Sequence, residues 1–349
     1  MKLLKYVMLS AIAFSCFACS DDDDSALKND YLKKTVAPAI AGKKIEFAYA
    51  MGATNGQLGK AEARASIAGA DGTGFELYSW FTARNKMEVN GVTYQAGEDV
   101  PLQTVKDAST SGAISTANMM EKADEHYMNP TVPFGTSQAT LIAATIRYNY
   151  VVPEEAKGKN ISFTFSSTSS TGAKASCSTQ SYPVSKMDMK RLIEMQNEGA
   201  CYFSIADMKA YKKEEVASQN LAGKIDFIYL YQESLNGFEY KHSFVSPATD
   251  PKYIAISGIV PSGSNNRTPM EKRANVRDAQ LKGDVPNVYI DDVDFQTLDL
   301  GAAVDYALTF SKDDGAFMKT ADGKYAAYVY VNSIDNSGKM TVSIKRYPL

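Results

Sequence analysis

The sequence predicts an all-β protein made of two tandem immunoglobulin-like β-sandwich domains with a few short helices. Three observations lead there. Short runs alternate apolar and polar residues, turn signals separate those runs, and a set of residues in the first half recurs in order in the second. At 349 residues the chain is too long for one ordinary core and suits two domains. The implied boundaries are a leader over 1–18, a tether over 19–36, sandwiches over 37–185 and 200–349, and a connector over 186–199.

Ile45, Phe47 and Tyr49 alternate in the first expected strand, after a tether that carries no strand signal. Residues 75–82 read as one dense aromatic strand, and 87–89 face 92–94 across Asn90-Gly91, the strongest short hairpin signal. Ile142, Ala144, Ile146, Tyr148, Tyr150 and Val152 share one face, while Thr145, Arg147 and Asn149 hold the other. Ile161, Phe163 and Phe165 repeat the same period. Helical signals are few. Residues 115–126 and 187–196 have amphipathic spacing, and 213–216 suit a single turn.

The second half begins again with Lys224-Ile225-Asp226-Phe227-Ile228-Tyr229, an echo of Lys44-Ile45-Glu46-Phe47-Ala48-Tyr49. Gly158-Lys159 and Tyr182-Pro183 return as Gly323-Lys324 and Tyr347-Pro348 with the same spacing of 24 positions from glycine to tyrosine. Alternation turns Met340, Val342 and Ile344 to the core and Thr341, Ser343 and Lys345 away from it. At the common offset of 165, Ala175, Cys177 and Thr179 match the inward set, which makes Cys177 a small buried hydrophobe. Outside the cytosol Cys177 and Cys201 could also pair, so a disulfide stays open as the alternative. Superposed halves are expected to align 158–183 on 323–348 without a register shift.

The N-terminus is an address. Lys2 and Lys5 precede an apolar run from Val7 to Phe14, and small residues then lead to a cysteine, the layout of a secretory leader. The run is far shorter than the roughly 20 residues a membrane-spanning helix needs. Phe17-Ala18-Cys19 resembles the end of a bacterial lipobox, with Cys16 standing where leucine is usual and competing as the lipidated residue. Ser20, Asp21, Asp22, Asp23 and Asp24 decide for Cys19. They resemble the acidic export signal of Bacteroidetes surface lipoproteins, the bland alternative being a solvated spacer. The expected location is the outer membrane, surface-exposed, with outer-membrane lipid as partner through the acylated cysteine.

Tyr202 to Tyr211 followed by Lys224 to Tyr229, with Val151-Val152-Pro153-Glu154-Glu155 and Asp291-Asp292-Val293-Asp294-Phe295, carries a wider resemblance. From about Leu27 to its end the chain is similar to a Bacteroidetes family of surface lipoproteins with a domain of unknown function and two tandem β-rich domains. That resemblance implies location and fold, and no chemistry.

Formal net charge is −3, and once the leader is gone the tether aspartates hold most of the negative excess. The body therefore has no basic surplus to recruit nucleic acid. The two histidines, His126 and His242, lie in different halves, which works against a zinc site or a histidine triad. Asp291, Asp292 and Asp294, and separately Asp313 and Asp314, could offer oxygens to calcium, but without EF-hand spacing they read as turn carboxylates. Glu154-Glu155 are adjacent, which does not suit a glycosidase pair across a substrate. No nucleophile elbow or phosphate loop is present, so the sequence assigns no catalytic residue, metal or cofactor.

Aromatic residues remain: 21 tyrosines and one tryptophan. Alternation in 75–82 sends Phe75, Leu77 and Phe81 inward and Tyr78 and Trp80 outward, where such rings could stack on sugar; ordinary core is the competing reading for Trp80. The expected function is non-catalytic surface capture of glycan or another nutrient for a partner outer-membrane transporter. The alternative is a structural adhesin or fimbrial-type subunit.

Overall fold

A computed structural model describes residues 26–56, 58–75, 80–82, 86–89, 92–101, 119–122, 125–128, 143–232, 240–252, 254, 256, 258–283 and 288–349. The chain is all β. The first sandwich holds β1 (Leu27–Lys33), β2 (Lys44–Ala53), β3 (Leu58–Ala65), β4 (Gly74–Phe75), β5 (Trp80–Thr82), β6 (Met87–Val89), β7 (Val92–Tyr94), β8 (Asp99–Pro101), β9 (Met119–Lys122), β10 (Glu125–Met128), β11 (Ala143–Val151), β12 (Asn160–Ile161), β13 (Phe163–Ser169), β14 (Lys174–Ser178) and β15 (Tyr182–Pro183). One sheet runs β1-β2-β11-β5-β8 with β4 beside β11, and the facing sheet runs β14-β13-β3-β10-β9. Rings from both sheets meet between them. Phe47 lies 4.7 Å from Phe163, Tyr150 4.9 Å from Phe163, and Tyr49 stacks on Phe165 at 5.2 Å.

The second sandwich holds β16 (Asp188–Gln196), β17 (Tyr202–Ser204), β18 (Lys209–Tyr211), β19 (Phe227–Gln232), β20 (Lys241–Val245), β21 (Met270–Arg273), β22 (Tyr306–Ala307), β23 (Gly315–Lys319), β24 (Tyr325–Ile334) and β25 (Lys339–Pro348). Its sheets run β16-β25-β24-β23-β21 and β18-β17-β19-β20-β22. Stacked Phe203 and Phe227, then Phe244 and Phe310, fill the space between. Three short helices accompany it: α1 (Lys213–Ser218), α2 (Ala279–Lys282) and α3 (Asp292–Gln296). The first is the turn expected over 213–216.

Alternation placed the strand faces well. Ala144, Ile146, Tyr148, Tyr150 and Val152 are buried, as are Ile161, Phe163 and Phe165. The hairpin β6–β7 pairs Met87 with Tyr94 and Val89 with Val92. Asn149 departs from its expected outward place and is buried.

Five expectations need correction. The tether is not strand-free, because β1 pairs with β2 from Leu27↔Ala53 to Lys33↔Phe47. Only Leu27 of its seven residues is buried, so an edge strand held by backbone pairing leaves little pattern to read. The connector is likewise no helix. Residues 188–196 form β16, whose bulge places Arg191 and Leu192 opposite the single Ser343 of β25, between Lys190↔Ile344 and Ile193↔Val342. That phase jump gives apolar residues a helical spacing. Described residues of 115–126 lie in β9 and β10, not in a helix. Residues 75–82 do not pair as one continuous strand: from Phe75↔Tyr148 to Trp80↔Thr145 they advance five positions while β11 advances three.

The fifth concerns β25. Met340, Val342 and Ile344 do enter the sandwich core, but Ser343 and Lys345 on the opposite face are fully buried too. A third core covers that face, built from Leu281 of α2, Phe295 of α3, Ile290, Leu300, Tyr328, Tyr330 and Tyr347.

The repeated ends keep their pairing only in part. Ile161↔Tyr182 and Ala326↔Tyr347 match at the offset of 165, and Cys177 and Val342 both face a core. Cys177 pairs with Phe165, however, whereas Val342 pairs with Val331 rather than Tyr330. The preceding strand is thus slipped by one residue, so Phe165 points into its sandwich and Tyr330 into the third core. In the first half the hairpin breaks into β12–β15 and β13–β14 with unequal gaps, and in the second it runs nearly continuously. Cys177 and Cys201 are both buried, and no disulfide joins them.

Candidate functional site

Of the residues singled out in the sequence, Cys19, Ser20, Asp21, Asp22, Asp23, Asp24 and Tyr78 lie outside the described residues. Phe75 is buried against Tyr148, 5.2 Å away, as the alternation requires. Trp80 holds a register position opposite Thr145 of β11 and Pro101 of β8. Since Thr145 also pairs with Ala50 of β2, Trp80 lies near the Ala53 end of its sheet. The chain enters the sandwich at that same end, through Leu27.

The carboxylates considered for calcium have other occupations. Asp291 caps α3 by accepting from the Val293 and Asp294 amides, and Asp294 accepts from the Asp291 amide. Asp292 accepts the Ser185 hydroxyl, and Asp313 accepts the Tyr330 hydroxyl. Asp314 pairs with Lys272 at 3.1 Å and accepts from the Ser311 amide. Among the described residues no three His, Cys, Asp or Glu side chains gather as a metal site. Exposed Glu154 pairs with Lys157 at 2.6 Å, and Glu155 follows it in the same short 3-10 turn.

Residues that pattern reading passed over hold the most buried polar chemistry. Lys345 donates to Asp278 Oδ2 at 2.6 Å and to the Ile290 carbonyl at 2.7 Å, with both side chains fully buried. Asp278 also accepts from the amides of Gln280, Leu281 and Ile290. Burial lowers the Lys345 pKa, and the attraction of Asp278 offsets this only in part. The pair pins α2 and its neighbours over β25.

His242 occupies the other core. Its Nδ1 lies 2.7 Å from the Tyr229 hydroxyl and its ring 4.7 Å from Tyr231. Burial depresses its pKa, opposed by Asp335. Asp226 accepts the Ile205 amide at 2.6 Å, and burial pushes its carboxyl up to about 7. These groups organise the scaffold.

The junction between sandwiches is the most specific composite feature. Ile40, from the turn before β2, is 1 % exposed and lies inside the third core of the second sandwich. Gln280 donates to the Pro38 carbonyl at 3.1 Å, and Ser185 donates to Asp292. Asp188 accepts from Lys157 of the first sandwich and Arg346 of the second. Burial opposes its ionisation, yet those two cations hold its carboxyl below the ordinary range. The result is a packed, hydrogen-bonded joint.

Comparison with known proteins matches the two halves to two family profiles. Residues 24–184 match a domain of unknown function, DUF4466, and residues 185–349 match another, DUF8576. The chain is similar to the crystal structure of a DUF4466 family protein from Parabacteroides merdae ATCC 43184, at 34 % identity and a TM-score of 0.76. The alignment covers 93 % of this chain and 99 % of that one. A variant of BcpA, the major pilin subunit of Bacillus cereus, overlaps at 6 % identity and a TM-score of 0.25, covering 51 % of this chain and 44 % of that one. The C-terminal domain of the Streptococcus pyogenes antigen I/II-family protein AspA overlaps at 7 % and 0.29, covering 92 % and 90 %. At such overlap neither bears on the function of this chain. No curated protein matches it. The profile boundary at 184/185 places β1 with the first domain and β16 with the second, as the strand pairing does.

Proposed function

We propose that this chain, which belongs to the DUF4466 family, is a non-catalytic, surface-anchored lipoprotein that captures glycan or another nutrient for an outer-membrane transporter. The observation that carries this reading is the distance between anchor and fold. Seven residues separate Cys19 from Leu27, the first paired residue of β1, and four of the seven are Asp21 to Asp24. An acylated cysteine so close to a folded sandwich is a tether, and the acidic run beside it has the form of a surface-export signal. Both terminal strands, β1 and β25, pair within the chain. That supports capture over the fimbrial alternative, in which a subunit exchanges a terminal strand with its neighbour.

Tyr78 and Trp80 remain the proposed ligand-stacking pair, on the alternation of their stretch. Two measurements test the proposal. Replacing Asp21 to Asp24 by alanine is expected to leave lipidation intact and reduce protease accessibility on whole cells; unchanged accessibility refutes the export reading. A polysaccharide array with wild type and Trp80→Ala is expected to show binding that the substitution weakens by roughly tenfold, the worth of one stacking contact. No binding to any polysaccharide removes glycan capture, and binding untouched by Trp80→Ala moves the site elsewhere.

A further inference from the structure

We infer that the first sandwich rests on the lipid surface by its Ala53 end and that the second sandwich is the membrane-distal unit; this rests on the reading of Cys19 as the lipid anchor. The two ends of the first sandwich can be told apart by strand register. Leu27 pairs with Ala53, so the chain emerges from the tether beside the last residue of β2. Ala143 pairs with Gly52 at this end. The β2–β3 and β13–β14 turns meet there as well, since a Cβ on Gly56 would come within 2.7 Å of Thr171. The residues of these two turns, Thr54, Asn55, Ser170, Thr171 and Gly172, are exposed, small and uncharged, and suited to lie against headgroups; exposed Glu98, just beyond the Thr82↔Asp99 pair, stands at the same end.

The opposite end carries the joint. Val151 pairs with Lys44, Gly42 donates to the Val152 carbonyl, and Ala39 bridges Val184 just before the chain passes into the second sandwich. Ile40, buried in the third core, fixes the second sandwich to this end.

Length then limits the orientation. Seven residues between Cys19 and Leu27 reach at most about 28 Å even when fully extended. The nine steps from Lys44 to Ala53 of β2 span about 31 Å. The tether is therefore too short to run the length of the sandwich and let the joint face the bilayer. Within the second sandwich, Asp188 of β16 pairs with Arg346 beside the joint, and Gln196 pairs with Lys339 at the far end. Its β24–β25 turn, holding exposed Ser337, is thus displayed outward. Trp80, by contrast, lies three residue levels from the lipid-proximal end of β2.

The test uses the lipidated mature protein in phospholipid vesicles that carry a headgroup-linked acceptor dye. A donor dye is attached to Asn55→Cys or to Ser337→Cys, with the unsubstituted protein as the control for labelling of buried Cys177 and Cys201. Strong energy transfer from position 55, and at least fivefold less from position 337, is the expected result. Equal transfer from both, or stronger transfer from 337, with the protein still floating on vesicles, overturns the orientation and leaves the anchor standing. Failure to float, with no acyl mass on the N-terminal peptide, overturns the anchor and the orientation together.

Discussion

Asp226 sits in a core where its carboxyl accepts one amide and titrates at about 7, against an ordinary value of 3.8. Between those values the folded chain holds a proton that the unfolded chain has released. Its contribution is therefore fully present below pH 3.8 and is lost as pH rises through 7. The shift corresponds to about 4 kcal/mol. Asp226→Asn is expected to raise the melting temperature relative to wild type increasingly from pH 4 to pH 8; a difference that does not change with pH contradicts the assignment. Lys345 is the second test at this scale. With Asp278 buried beside it, Lys345→Met is expected to cost about 3 kcal/mol in denaturant unfolding, because it strands a buried carboxylate. A loss below about 1 kcal/mol would mean the three amides alone hold Asp278. Neither residue's role was legible in sequence. Lys345 alternates with Val342 and Ile344 like a solvent-facing residue, and only the packing of α2, Ile290, α3 and Leu300, distant in sequence, over β25 puts it inside.

Two of the mistaken elements fail for opposite reasons. β1 has almost no buried side chain, so its seven pairings with β2 leave no hydrophobic pattern. β16 has pattern enough, but a bulge breaks its phase. There Leu192 takes φ 56 and is 58 % exposed, while Arg191 reaches the Leu281 and Lys282 carbonyls at the end of α2. A leucine in the left-handed region costs roughly 1–2 kcal/mol that glycine does not. Leu192→Gly is therefore expected to stabilise the protein by about 1 kcal/mol, read as a higher denaturant midpoint at unchanged slope. A fall in midpoint would show that the side chain packs in a way its exposure does not reveal. Elsewhere the two-residue period was sufficient. β11 and β13 bury the faces that alternation chose, because each is an inner strand of one of two facing sheets, with no bulge in the chosen stretch.

At the scale of the whole molecule, strand period and turn spacing made the two-sandwich organisation legible, while the joint was not. Ile40 stands alone in a turn, and nothing in the residues around it announces that it fills another domain's core. Ile40→Asp is expected to loosen the joint, giving new proteolytic cleavage near 185 and a larger radius of gyration in solution scattering. Unchanged scattering would show that the hydrogen bonds from Gln280 and Ser185 hold the joint without it. The candidate ligand site was legible only as the alternation of 75–82, which pairs Tyr78 with Trp80 and names no ligand. The proposed anchor at Cys19 underlies the proposed location, orientation and capture together, and one measurement addresses it most directly. Cells expressing wild type, Cys16→Ala and Cys19→Ala are fed an alkyne fatty acid, and the protein is captured and probed for label. Label in wild type and Cys16→Ala, and none in Cys19→Ala, is the predicted result; label that survives Cys19→Ala, or no label in wild type, would contradict the account.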